Sequence, residues 1–256
     1  MSKTRRILIW LGATVALAGV YLWLFGVSTV VALETRYLGW KNPEMKRTPV
    51  ELLDSSLSAP SGKMIVFNGY EFEIPWQDVD EEKSKVIKTH KAIAFHSGNA
   101  ILVGVSAPKE FVNVILKSGL DADSFRAIYG EEPLKSDYAM HRLMLESSPQ
   151  RITPFSGQKF AIGESMMIIM KAISMPSGAD SGLYSVRSNE FKGFQYGDPG
   201  KRPKRITIEL FADNGSINLV ISQKTDGTAP VATQAEINRM IQSVRRCSAD
   251  SSCAGG

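Results

Sequence analysis

Cysteine and histidine are scarce in this chain. Two cysteines in 256 residues exclude a disulfide-built scaffold and a four-cysteine zinc site. Three histidines leave too few imidazoles for a His-rich metal centre, so neither a metal nor a cofactor is expected. The chain also lacks a G-x-S-x-G elbow, an H-E-x-x-H pair, a P-loop and a G-x-G-x-x-G turn. No repeat recurs at a period of 20 to 50 residues. Long uncharged runs are absent as well, with a single exception at the N-terminus. What remains is ordinary folding composition: 43% hydrophobic, 22% charged and a net charge of +4. A mean hydropathy of -0.08 is too low for a polytopic membrane protein.

The exception is Ile7 to Leu33, 27 residues without a charge. A helix needs about 20 residues to cross the hydrocarbon core, and in lipid it must pair its own backbone groups. The segment therefore reads as a single-pass transmembrane anchor over 7–33, behind a tail at 1–6. Trp10 near one end, and Tyr37 and Trp40 beyond the other, suit the membrane interfaces. A cleaved signal peptide is the rival: Lys3, Arg5 and Arg6 would be its basic start and Val30-Val31-Ala32 its cleavage site. Signal cores run only about 7 to 15 residues, which favours the uncleaved signal-anchor. Arg36, Lys41, Lys46 and Arg47 follow the span, so charge bias is not one-sided. The shorter, closer N-terminal cluster favours N-in. The expected setting is a bacterial inner membrane with the C-terminal domain periplasmic.

Gly12, Gly19 and Gly26 recur every seven residues, and Ala16 completes a small-xxx-small step. They share one helix face where a second helix could approach closely. The lipid bilayer is thus one expected partner. A membrane-protein partner, or a second copy of this chain held through the span, is the other. Cys247 and Cys253 could close a disulfide in an oxidising compartment.

After the span, 34–63 reads as a stalk or linker with Pro43, Pro49 and Pro60, and a short helix near Val50 to Leu53. The globular domain is expected over 64–247 and a flexible tail over 248–256. Met64–Phe67 and Tyr70–Ile74 flank Asn68-Gly69, a type I′ hairpin signal. Asp78 to Lys91 is highly charged and ends the local pattern, and Asp78, Asp80, Glu81 and Glu82 read as a solvated charged loop. Ala92–Phe95 and Ile101–Val105 form a second hairpin around Ser97-Gly98-Asn99. Helices are predicted over Pro108–Lys117, Asp123–Tyr129, Asp137–Glu146 and Gln158–Ile173, the last with the all-apolar run Met166–Met170 buried, for which a buried strand is the alternative. Strands return at Leu183–Arg187, Gly193–Tyr196, Ile206–Leu210 and Ile217–Ile221. A capping box at Thr233 and Glu236 starts a final helix.

Hairpins, helices, hairpins and a helix in that order predict an α+β fold, an antiparallel sheet covered by helices. The order resembles the PsbP-type α/β sandwich in topology. No motif carries that likeness, so it implies no activity and no site residue.

Two motifs bear on function. Ser156-Gly157-Gln158-Lys159 fits S-x-x-K at a helix start, where a lysine can activate a serine one turn away. Lys224-Thr225-Asp226-Gly227 only loosely echoes K-T-G, S-D-N is missing, and Ser106 to Lys109 matches S-x-x-K equally well. An envelope serine hydrolase using Ser156 and Lys159 is therefore the alternative to a non-catalytic extracytoplasmic binding or assembly domain. Lys201, Arg202, Lys204 and Arg205 form the densest basic run, able to contact an anion. No stacking platform accompanies them, so nucleic acid is not expected. His90 and His96 read as edge residues, and His141 as a helix-surface or boundary residue.

Overall fold

A computed structural model describes residues 3–52, 62–117, 121–176 and 178–247, with backbone alone at 3–12 and Glu44. The chain is α+β, and its contacts divide it into two units. Helix α1 (Lys3–Lys41) opens the first, and strands β1 (Val50–Glu51), β2 (Lys63–Phe67), β3 (Tyr70–Ile74), β4 (Val79–Ile87), β5 (His90–Phe95) and β6 (Ala100–Ser106) belong to the second. Helices α2 (Glu110–Lys117), α3 (Ala122–Tyr129), α4 (Asp137–Glu146) and α5 (Gln158–Ser174) follow. Strands β7 (Leu183–Arg187), β8 (Lys192–Tyr196), β9 (Arg205–Ala212) and β10 (Gly215–Ser222), helix α6 (Gln234–Ser243) and strand β11 (Arg245–Arg246) complete the chain.

All the strands lie in one unit, in a sheet of order β1-β7-β8-β9-β10-β6-β5-β4 and a three-stranded sheet of order β11-β3-β2. Among the described residues only the β1–β7 pairing is parallel. Alternation gives the large sheet two different faces. Ile206, Ile208 and Leu210 of β9 join Ile217, Leu219 and Ile221 of β10 in the main core with Phe72, Ile74 and Trp76, and with Ile237, Met240 and Ile241 of α6. Thr207, Glu209 and Phe211 point the other way, toward Phe111 of α2 and Tyr138 and His141 at the start of α4. The turns agree with the residues. Asn68 and Gly69 take φ of 46° and 78°, the left-handed pair a type I′ turn requires. The Thr233–Glu236 capping box is formed in both directions.

The other unit contains 1–47, 119–130 and 143–174. Its centre is the packing of α1 on α5: Ser28, Ala32 and Thr35 are buried, and Ala32, Met45, Ile152, Ala161 and Ile168 form one apolar cluster. Ser28, Ala32, Thr35 and Gly39 recur along one stripe of α1, and all four are small enough for close approach. A Cβ added at Gly39 would stand 2.9 Å from Cγ of Pro149. The Ser28 hydroxyl donates to the Ser156 carbonyl at 2.5 Å.

Four expectations need correction. The segment expected as the start of a stalk, 34–41, is helical and continues α1 without a break, because Glu34 to Lys41 contains neither proline nor a capping turn. Val50 and Glu51 pair with β7 instead of forming a helix, while 53–61 lies outside the described residues, as does the tail at 248–256. The charged Asp80, Glu81 and Glu82 belong to strand β4 and not to a loop. β4 is an edge strand, where exposed charge discourages pairing with another chain. The Met166–Met170 run is helical, but Ile169 is 44% exposed, so the run is not wholly buried.

Phe72 is fully buried between the small sheet and α6. Phe72→Ala should lower unfolding stability by about 3–5 kcal/mol, read from the guanidinium midpoint of detergent-solubilised protein. An unchanged midpoint would show that this core does not hold the strand-bearing unit together.

Candidate functional site

A described cleft lies in the strand-bearing unit. It has a volume of about 330 Å³ and opens between the β7–β8 loop, the β9–β10 turn, the start of α4 and Arg246. Local chemistry builds each wall. The Ser188 N–H donates to the Phe191 carbonyl at 2.9 Å and the Phe191 N–H to the Ser188 hydroxyl at 3.2 Å, which closes a tight loop presenting Asn189 and Glu190. Asp213-Asn214 forms the turn between β9 and β10. Arg246 ties the walls: its guanidinium donates to the Asn214 carbonyl at 2.8 Å and the Tyr70 hydroxyl at 3.2 Å, and its N–H donates to Glu190 at 3.3 Å.

An aromatic stack forms one side of the cleft. The Tyr138 and Phe194 rings lie 5.4 Å apart at 12°, and the Lys192 ammonium stands 5.9 Å from the Tyr138 centroid. Arg187 and Lys192 are exposed, and neither has a carboxylate partner among the described residues. Arg187, Lys192 and Arg246 outnumber Glu190 and Asp213 in the lining. A cleft of this kind suits an anion carrying a flat or apolar part.

Behind the stack lies a buried polar trio. His141 Nε2 stands 3.2 Å from Glu209, and the Tyr196 hydroxyl donates to the same carboxylate oxygen at 2.9 Å. Burial raises the Glu209 pKa, but the neighbouring His141 and Tyr196 outweigh it and hold the carboxyl below its usual value. Burial, with the adjacent carboxylate, pushes the Tyr196 phenol well up. His141 is boxed by Phe111 at 4.0 Å and Phe211 at 5.2 Å, and its Nδ1 is buried without a partner. The ring is thus withheld from solvent, and the trio braces α4 on the sheet. Its burial corrects the surface or boundary position expected from sequence.

The helical unit contains a second buried polar group. Lys171 of α5 is fully buried, and its ammonium donates to the carbonyls of Arg47 (2.6 Å), Leu145 (2.6 Å) and Ser147 (3.1 Å). Three acceptors match its three donors. On the same helix the buried Glu164 carboxylate accepts from the Tyr129 hydroxyl at 3.2 Å and the Ser148 N–H at 3.3 Å, and pairs with Arg151 at 3.2 Å. Desolvation leaves its pKa raised despite these partners. Neither group was singled out from sequence. A lysine directly after Met166–Met170 was the available signal.

The residues singled out from sequence are dispersed. Ser156 turns its hydroxyl back to its own loop, accepting the Thr153 N–H at 3.0 Å, and Lys159 is exposed. No hydrogen bond joins the two among the described residues. Lys224 lies in the other unit. Lys201 donates to the Ser181 carbonyl at 2.7 Å, while Arg202, Lys204 and Arg205 are exposed and do not line the cleft. A Cβ at Gly19 or Gly26 would meet nothing within 4 Å, Ala16 is exposed, and Gly12 is described by its backbone alone. Cys247 is disulfide-bonded, and Cys253 lies outside the described residues. His90 and His96 are exposed. No group of three or more potential metal ligands occurs among the described residues. Comparison with family models, curated proteins and solved structures finds no match.

Burial lowers the Lys171 pKa to about 8, against an ordinary value of about 10.4. Between those values the unfolded chain binds a proton that the folded chain has released. Stability contributed at this site therefore rises with pH through that window. The wild-type urea midpoint should increase from pH 7.5 to 10 relative to that of Lys171→Met. A difference that stays constant with pH would refute the depressed lysine.

Proposed function

We propose that this is a single-pass membrane protein whose head is a non-catalytic binding domain, and that the cleft beside Tyr138 receives an anionic ligand. The observation that carries the ligand reading is the pair Arg187 and Lys192, cationic and without acid partners among the described residues, beside the Tyr138–Phe194 stack. A cation left unpaired at a cleft is stabilised when an anion reaches it. The hydrolase alternative finds less support, because the Ser156 hydroxyl is engaged with Thr153 and, among the described residues, no hydrogen bond joins it to Lys159.

The anchor reading rests on α1. Ala13–Lys41 contains an 18-residue window of mean hydropathy 2.0, of which only 11% is buried within the protein. A core helix of that composition would be covered. The suggested cleavage site, Val30-Val31-Ala32, falls inside the stripe packed on α5, where Ala32 is 1% exposed. Removing everything before it would take away Ser28 and half of the packed helix, which favours retention. Lys3, Arg5 and Arg6 favour an N-in orientation with the head outside the cytosol, and the disulfide at Cys247 suits an oxidising compartment. A bacterial envelope meets both conditions.

Titrating inorganic phosphate and a short acidic aromatic peptide into the full-length protein in detergent should raise its melting temperature. Arg187→Ala with Lys192→Ala should abolish the shift. An equal shift in the double variant would remove the cleft from this role.

Assembly through the span is the second reading, favoured by the wheel geometry of α1. At 100° per residue, the Gly12, Ala16, Gly19 and Gly26 face lies roughly opposite the Ser28, Ala32, Thr35 and Gly39 stripe. The glycine face is therefore turned away from α5. Cross-linking in native membranes should trap a complex that Gly19→Leu weakens severalfold. Identical cross-linking in that variant, or none in either, would count against the glycine face.

A further inference from the structure

We infer that the loop 153–157 and the first turn of α5 are seated in the outer boundary of the bilayer, so that the membrane is held by two elements of the helical unit. This rests on the anchor reading and extends it to a segment far away in sequence. A span beginning at Ile7 places Tyr21 and Phe25 roughly 20 to 27 Å along the helix, inside the outer third of a core about 30 Å thick. The Phe155 ring packs against both, with centroids 6.0 Å and 5.7 Å away. Phe155 is nevertheless 70% exposed. An aromatic ring in that position, beside a helix in lipid, has lipid as its remaining neighbour.

Several of the loop's polar groups are paired within the protein, which lowers the cost of entering the boundary. Pro154 has no N–H. The Ser156 N–H donates to the Thr153 carbonyl at 3.1 Å, the Thr153 N–H donates to the Ser156 hydroxyl, and the Ser156 carbonyl receives the Ser28 hydroxyl. Ile162, one turn into α5, is 46% exposed and extends the apolar surface. Lys159 beside it carries an exposed ammonium on a long stem, suited to reach lipid phosphate from the boundary. The S-x-x-K match is accounted for in this way: its serine closes a membrane-facing turn and its lysine reaches the headgroups.

The test places one nitroxide label at a time on full-length protein in phosphatidylcholine–phosphatidylglycerol vesicles, with Cys247 and Cys253 replaced by serine. Labels go at Phe155→Cys, at Trp23→Cys within the span, and at Val86→Cys on an exposed edge strand. If Phe155→Cys disrupts the cooperative unfolding transition, Gly157→Cys carries the label, since a Cβ there meets nothing within 4 Å. The ratio of oxygen to water-soluble nickel-chelate accessibility should be severalfold higher at 155 and 23 than at 86. A lipid-like ratio at 23 with a water-like ratio at 155 overturns the seated loop and leaves the anchor standing. Water-like ratios at both overturn the anchor and the loop together.

Discussion

The close packing of the C-terminal half of α1 against α5 is the constraint on which the helical unit depends. A 39-residue helix is roughly 58 Å long, about twice the hydrocarbon thickness. Its two halves differ in composition and packing. Residues 7–27 carry no charge, a composition that would suit lipid. The second half narrows its packing to Ser28, Ala32, Thr35 and Gly39, whose small side chains let α5 approach. The helix continues without a break through 34–41, so no flexible stalk begins there. The apolar run of 27 residues thus ends in a packing contact within the chain.

The strand-bearing unit solves a different problem. Its large sheet carries two faces of unlike chemistry on alternating residues of the same strands. Ile206, Ile208 and Leu210 enter an all-apolar core under α6. Their neighbours Thr207 and Glu209 face α4, where a carboxylate, a phenol and an imidazole satisfy one another. Buried polar groups of that kind are costly unless paired. Their pairing fixes the position of α4, and thereby of Tyr138, which forms the wall of the cleft. The cleft itself is made at loop ends, where side chains are free to stay cationic and exposed, while the sheet beneath supplies rigidity.

Hairpins and caps were legible because their causes are local. Asn68-Gly69, Asp213-Asn214-Gly215 and the Thr233–Glu236 box each determine backbone geometry within a few residues. Strand β4 was not legible, since Asp80, Glu81, Glu82, Lys83 and Lys85 suppress the alternation by which strands are recognised. Only its place at the sheet edge makes such a composition sensible. Within the candidate site almost nothing was legible. Arg187, Lys192 and Arg246 come from separate strands, and none belongs to a motif. The residues with recognisable spacing, Ser156 and Lys159, are joined by no hydrogen bond.

The amino-acid sequence alone determined the α+β class, one long apolar N-terminal helix, most element boundaries and the hairpin turns. These depend on hydrophobic period, on turn chemistry and on uninterrupted apolar length, all of which act over a few neighbouring residues. The tertiary structure alone decided where α1 starts packing on α5, which polar side chains are buried in pairs, and which cations meet at one cleft. Those outcomes depend on contacts between residues as distant as Ser28 and Ser156 or His141 and Glu209. No local pattern encodes such contacts, because they form only when packing brings the separate elements together.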